Sequence, residues 1–189
     1  MRVVAGEYGG RRLNAVPGRK TRPTTDKVKE ALFSSIGPYF AGGSSLDLFA
    51  GSGGLSIEAV SRGIDHAVMV DRQYAAVQVI KKNVAVTKHP EKFTVIKNNA
   101  NRAIKALAKQ KAGFDLVFLD PPYAKQQIVK NMTTLATAQL LNPNALVVAE
   151  TNQEADLPAN ISGFDFLRQH HYGITVVTIY RFHGKEQHK

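Results

Sequence analysis

The sequence predicts an α/β protein built on a seven-stranded, mostly parallel sheet. Three observations carry that prediction. Short apolar runs alternate with longer segments of helical period from residue 45 onward. A glycine-rich turn joins the first of these strands to the first of these helices, and two β-rich runs with no helix between them close the chain. At 189 residues the chain suits one compact domain. A domain of this length buries roughly 70% of its unfolded surface and needs no disulfide or metal staple.

In chain order, "RVVAG" and "GRRLNAV" flank Gly9-Gly10 and predict a small β-hairpin arm. Thr24, Thr25 and Asp26 are cap candidates for a helix through "KVKEALFSSI", which Gly37-Pro38 ends. "SLDLFA" (45–50), "HAVMVD" (66–71), "FTVIKN" (93–98), "FDLVFLD" (114–120) and "ALVVAE" (145–150) read as buried strands. Between them, "GLSIEAVSRG", "YAAVQVIKKNVAVTK", "NRAIKALAKQK" and "QQIVKNMTTLATAQLL" place apolar residues three and four apart, as helices packed on a sheet require. Ile128, Met132, Leu135 and Ala136, for example, share one face. "FDFLRQHHYG" and "ITVVTIYRF", joined through Gly173, predict an antiparallel C-terminal hairpin at one edge of the sheet.

Composition narrows the function. Cysteine is absent, which excludes disulfides, thiolate zinc sites and cysteine nucleophiles. The start lacks the apolar core of a signal peptide and no stretch is long enough for a membrane span, so a soluble, cytoplasmic protein is expected. Within the formal net charge of +10, residues 1–29 hold eight basic side chains against Glu7 and Asp26. A concentrated basic arm favours a polyanion through counterion release. Arg2, Arg11, Arg12, Arg19, Lys20 and Arg22 are the candidate nucleic-acid contacts. His170 and His171 are adjacent on a strand and point to opposite faces, so no metal site is expected of them.

Two motifs carry chemistry. In "DLFAGSGGLSIEA", Gly51, Gly53 and Gly54 allow a tight turn with close backbone approach by a ligand. The helix that follows offers unpaired N–H groups to an anionic group. Asp71 closes the second strand twenty residues after Gly51, placed to accept hydrogen bonds from ribose hydroxyls. Alone, this pattern also fits a dinucleotide, although the third glycine of that fingerprint is missing, and no Gly-Lys-Ser/Thr follows for a triphosphate. The second motif is "FLDPPYAK". Asp120 falls at the carboxyl end of the fourth strand, where open α/β sheets bind ligands. Pro121 and Pro122 have no N–H, so nearby carbonyls are less readily absorbed into a turn. Asp120 and the Pro121 carbonyl can each accept an N–H from a substrate amine, and Tyr123 offers a stacking face. A ligand-free strand end would leave a buried acid and an exposed aromatic without a reason.

"DLFAGSGG", the acid in "VMVDR" and above all "DPPY" resemble the Rossmann-like class I S-adenosylmethionine-dependent methyltransferases that modify exocyclic amines. "RVVAGEYGGRRL", "RPTTDKVKEALFSSI" and "DLFAGSGGLSIEAVSRG" are together similar to the bacterial 16S rRNA (guanine-966-N2)-methyltransferase family, over about Arg2 to Phe182. The resemblance implies one methyltransferase domain over 1–189, with a basic hairpin extension at 1–23 and a class I core at 24–183. It implies that Asp47, Phe49, Gly51, Ser52, Gly53 and Gly54 hold the methionine moiety of S-adenosylmethionine. Asp71, with Arg72 beside it, would hold the ribose, and Asn99 and Ala100 the adenine edge. Many such enzymes carry Asp where this chain has Asn99, whose amide oxygen can still accept the adenine amino proton. Asp120, Pro121, Pro122 and Tyr123 would hold the guanine, with "RPTT" (22–25) near cofactor and substrate. The implied partner is 16S rRNA within a small ribosomal subunit or an assembly intermediate, with no metal and no membrane. Two alternatives stay open at this point: a DNA adenine-N6 methyltransferase, for whose recognition region the chain has no sizeable room, and a non-catalytic RNA-binding assembly factor.

Overall fold

The computed structural model describes residues 1–18, 25–122 and 124–184, so the cap candidate Thr24 lies outside the described residues. Seven strands form a mixed sheet, and the chain divides into two compact units, Met1–Asn99 and Ala100–Lys189.

The first unit contains α1 (Asp26–Ile36), β1 (Ser44–Asp47), α2 (Gly54–Ser61), β2 (His66–Asp71), α3 (Tyr74–Val86) and β3 (Phe93–Lys97), with a short 3-10 turn at Pro90–Lys92. Its strands lie in the order β3-β2-β1, all parallel, with Ser44 opposite His66 and Asp71 opposite Lys97. Thr25 caps α1, its hydroxyl accepting the Val28 N–H at 3.3 Å. The first strand is shorter than its apolar run suggested. It ends at Asp47, because Leu48 and Phe49 already belong to the glycine turn. Five consecutive buried residues of β2, Ala67 to Asp71, show why a parallel strand reads as a continuous run rather than an alternation. Each large apolar side chain fully buried in this way contributes about 1.5–3 kcal/mol.

The second unit contains α4 (Ala100–Lys109), β4 (Phe114–Leu119), α5 (Ala124–Thr137), β5 (Leu141–Asn152), β6 (Phe164–Tyr172) and β7 (Thr175–Phe182). Its strands lie in the order β4-β5-β7-β6. β4 and β5 are parallel, whereas β7 runs antiparallel to both β5 and β6. Ile128, Met132 and Leu135 of α5 are completely buried, as their spacing required. β5 is longer than the apolar stretch 145–150: Leu141 already pairs with Phe114, and the register then shifts past Pro143 and Asn144, the latter at φ +64°. Tyr180 is fully buried and donates its hydroxyl to the Pro158 carbonyl at 2.8 Å, securing the segment before the hairpin.

Among the described residues the predicted N-terminal hairpin is reduced to one isolated antiparallel bridge, Arg2 to Arg12. Backbone hydrogen bonds within the arm, Val3 N–H to the Arg11 carbonyl and Leu13 N–H to the Met1 carbonyl among them, flank that bridge, and α2 takes several of the remaining amides. The Val4 and Ala5 N–H groups donate to the two carboxylate oxygens of Glu58 at 2.8 and 3.0 Å. The Tyr8 N–H donates to the Ser61 hydroxyl and the Glu7 N–H to the Ser61 carbonyl. Glu58 is fully buried and also meets Lys29 Nζ at 3.2 Å and Arg62 Nε at 2.9 Å, both cations themselves buried. Lys29 additionally donates to the Arg2 carbonyl, and Arg62 to Glu30 and to the Pro38 carbonyl. The Arg62 guanidinium lies 4.9 Å from the centre of the Phe33 ring. Burial works against its charge, but the hydrogen bonds it donates to Glu30 and Glu58 outweigh that and raise its pKa above the ordinary value.

Removing one partner of a buried, paired cluster leaves an uncompensated charge. Glu58→Ala therefore destabilises the protein by about 3–5 kcal/mol, read as a lower midpoint in urea denaturation. Gln, which keeps an acceptor for one arm amide, recovers part of the loss.

Candidate active site

The glycine turn is held from beneath by β2. The Ala50 N–H donates to the Val70 carbonyl and the Gly51 N–H to Asp71 Oδ2, both at 2.9 Å. Asp71 Oδ1 accepts the Gln73 N–H at 2.9 Å, so this carboxylate fixes both the turn and the start of the next loop. A carboxylate has about four acceptor positions, and these two amide bonds are compatible with further bonds to a ribose diol. The Asn98 N–H donates to the Asp71 carbonyl at 3.1 Å, which brings the end of β3 beside the same acid. Asp47 is buried and its Oδ1 accepts the Phe49 N–H at 3.1 Å.

Gly53 stands at φ +80°, where L side chains are strained, and a Cβ there would lie 3.1 Å from Met69 Sδ. It precedes α2, whose N-terminus has no side-chain cap and no acid in its first turn. An uncapped helix start beside a buried glycine turn fits the carboxylate end of an amino-acid-like ligand. The residues present therefore suit an adenosyl-methionine group: an uncapped helix start for its carboxylate, a glycine turn that lets it approach the backbone, and an acid at a strand end for its diol. Arg72 and Asn99 are exposed, and Ala100 is half-buried at the start of α4.

The sequence pattern missed Asn83. This α3 residue is completely buried, and its carboxamide bridges two segments. Nδ2 donates to the Ser52 carbonyl of the glycine turn at 2.9 Å and to the Asn14 carbonyl at 3.0 Å, while Oδ1 accepts the Asn14 N–H at 2.8 Å. The end of the N-terminal arm is thereby tied to the turn. The available signal was a polar residue between the core positions Ile80 and Val84 of an otherwise apolar helix face.

In the second unit, β4 ends at Leu119, and Asp120, Pro121 and Pro122 follow it directly. The sequence reading expected a buried acid, and this is corrected: Asp120 is exposed, because it is the first residue past the paired strand, while Pro121 is buried. An exposed carboxylate on a proline-stiffened strand end is accessible to a substrate amine without unfolding anything. Tyr123 lies outside the described residues.

The arm cations differ in what they do. Arg2 pairs with Asp26 at 2.7 Å. Burial pushes the Asp26 carboxyl up, but the Arg2 hydrogen bond and the charges of Lys29 and Arg2 prevail and hold it below the usual range. Arg11 donates to the Val86 and Thr87 carbonyls at 3.0 and 2.6 Å, where α3 ends, and lies 5.0 Å from the Tyr8 ring centre. Those contacts are structural, of the kind that satisfies a helix C-terminus. Arg12 is exposed, and Arg19, Lys20 and Arg22 lie outside the described residues. Among the described residues no group of three or more metal-ligating side chains is found, and no helix is long and apolar enough to cross a membrane.

Comparison with known proteins adds an independent line. The family model described as "Conserved hypothetical protein 95" matches residues 1–181. YlbH of Bacillus subtilis (strain 168), provisionally named an rRNA methyltransferase, is 47% identical over 184 residues, covering 97% of this chain and all of that protein. Ribosomal RNA small subunit methyltransferase D of Haemophilus influenzae is 31% identical over 183 residues, covering 96% of this chain and 93% of that one. Among solved structures, the Escherichia coli protein yhhF, provisionally named a methyltransferase, superposes with a TM-score of 0.81 at 31% identity, covering 98% of this chain and 99% of that one.

Because Asn83 joins the turn to the arm, Asn83→Leu should loosen both. Leaving the Ser52 and Asn14 groups unpaired costs about 1–3 kcal/mol. The expected outcome is lower thermal stability together with weaker S-adenosylmethionine binding by calorimetry; cofactor affinity equal to wild type would show that the bridge does not shape the turn.

Proposed function

Since the chain belongs to the Conserved hypothetical protein 95 family, we propose that it transfers a methyl group from S-adenosylmethionine to the exocyclic N2 amine of a guanine in 16S rRNA, at the 966 site. The observation that carries this reading is Asp120 exposed one residue beyond β4 and followed at once by two prolines. That arrangement supplies acceptors for an amine, and the two prolines add no N–H of their own. The full-length similarity to small-subunit rRNA methyltransferase D supports the choice of rRNA over DNA. The whole chain serves as one methyltransferase domain, 1–189, with residues 1–23 as a basic extension and 24–183 as the core. It works in the cytoplasm on the small ribosomal subunit or an assembly intermediate, without a metal.

In this reading the turn Asp47–Gly54, with the start of α2, holds the methionine moiety. Asp71 and Arg72 hold the ribose, and Asn99 and Ala100 hold the adenine edge. When bound, S-adenosylmethionine supplies an electrophilic methyl group on a sulfonium. Guanine N2 is a poor nucleophile because its lone pair is delocalised into the ring. Asp120 and the Pro121 carbonyl each accept an N–H, fix the nitrogen's direction and draw its lone pair out of conjugation. Positioning of this kind can supply about 7–11 kcal/mol of barrier lowering. A strong base is not needed before transfer, since the N–H becomes acidic only as the new bond forms, and the Asp120 carboxylate can then take the proton. Removing the base from its stack costs a few kcal/mol, offset in part by stacking on Tyr123 at roughly 1–3 kcal/mol. Arg2, Arg12, Arg19, Lys20 and Arg22 contact RNA phosphates, and Arg11 does so with whatever its helix-end bonds leave it.

Asp120→Ala removes an exposed carboxylate, so folding and cofactor affinity should stay within a few-fold of wild type while methyl transfer to 16S rRNA is lost. Tritium transfer to the RNA, with mass-spectrometric mapping of rRNA from cells lacking the protein, checks both halves. Unaltered turnover by Asp120→Ala, or an intact N2-methylguanine in the deletion strain, would overturn the assignment.

A further inference from the structure

We propose that Tyr74 and Lys97 form a second RNA contact, a stacking platform for a single-stranded nucleotide of the substrate; this rests on the RNA-methyltransferase reading above. Tyr74 opens α3 three residues after Asp71 and is 64% exposed. Lys97 ends β3, directly opposite Asp71 in the β2–β3 register, and its Nζ lies 5.3 Å from the centre of the Tyr74 ring. The pair therefore stands at the carboxyl edge of the strands, the side on which an open α/β sheet binds its ligands.

A single exposed aromatic residue needs no explanation by itself. Its surroundings give this one a partner. Arg72, exposed and one residue past the end of β2, adds a second cation to Lys97 at this same edge. A π-face beside a cation in basic surroundings is the combination that holds single-stranded nucleic acid: the ring takes a base and the cations track phosphate. Of the arm cations, Arg2 is paired with Asp26 and Arg11 is bonded to the end of α3, so each is shared between the fold and RNA. The one competing occupant is the adenine of the cofactor.

The chain has no tryptophan, so Tyr74→Trp introduces a single indole at the platform. Its fluorescence is titrated with a 16S rRNA transcript and, separately, with S-adenosylmethionine. Quenching by the transcript and none by S-adenosylmethionine alone is expected. In parallel, Tyr74→Ala should weaken transcript binding about tenfold, while Tyr74→Phe keeps it and the thermal midpoint is unchanged, as suits an exposed position. Quenching by S-adenosylmethionine alone assigns the ring to adenine and overturns the proposal, as does transcript binding by Tyr74→Ala equal to wild type. If wild-type protein methylates the transcript while Tyr74→Ala binds it normally, only the platform falls. If wild type neither binds nor methylates it, the functional reading falls and the platform with it.

Discussion

The first half of the molecule is organised around one buried carboxylate. Glu58 has no exposed surface, yet it carries a charge, and its environment is built to satisfy it: two backbone amides from the arm, one ammonium from α1 and one guanidinium a turn later on its own helix. An isolated ionised carboxylate in such a place would be prohibitively costly. With four partners it becomes a junction whose members must all be present together. That requirement fixes where residues 2–8 run and how α1 lies on α2. It also fixes α2, the helix that the glycine turn leads into. Such clusters contribute less to net stability than an apolar core of equal volume, but they disfavour alternative arrangements by leaving charge unpaired in each of them.

A second polar junction lies at Asn83 of α3. Glu58 sits one turn into α2 and gathers the arm's early residues, whereas Asn83 gathers the arm's last described stretch and the Ser52 carbonyl. Between the two, the irregular N-terminal segment is anchored at several points despite having almost no regular secondary structure. Of the cations that made this segment look like a polyanion-binding tail, Arg2 and Arg11 hold bonds within the fold. Composition reports their number, not their employment.

The parts of the fold that were legible in the sequence were those governed by short-range periodicity. The apolar run His66–Asp71 is a strand with those bounds, and the spacing Ile128, Met132, Leu135 is the buried face of α5. The glycine turn and Asp71 were legible because the conformational demand of a tight turn and the position of an acid at a strand end are both local. The Glu58 cluster was not, since its partners lie more than fifty residues away at Val4 and Ala5 and almost thirty away at Lys29. Local pattern also misjudged Asp120. An acid ending an apolar run looks buried in one dimension, yet the strand stops one residue earlier and leaves it in solvent.

The anchoring of the arm changes what a shortened form of this protein would be. Cutting before the helix that begins at Asp26 looks like the removal of a dispensable basic tail. In fact it would strip Glu58 of both amide donors and uncover the surface against which Val3, Tyr8 and Leu13 are buried. A minimal catalytic fragment therefore has to keep its first fourteen residues, which plug the interior through three buried side chains and their backbone amides.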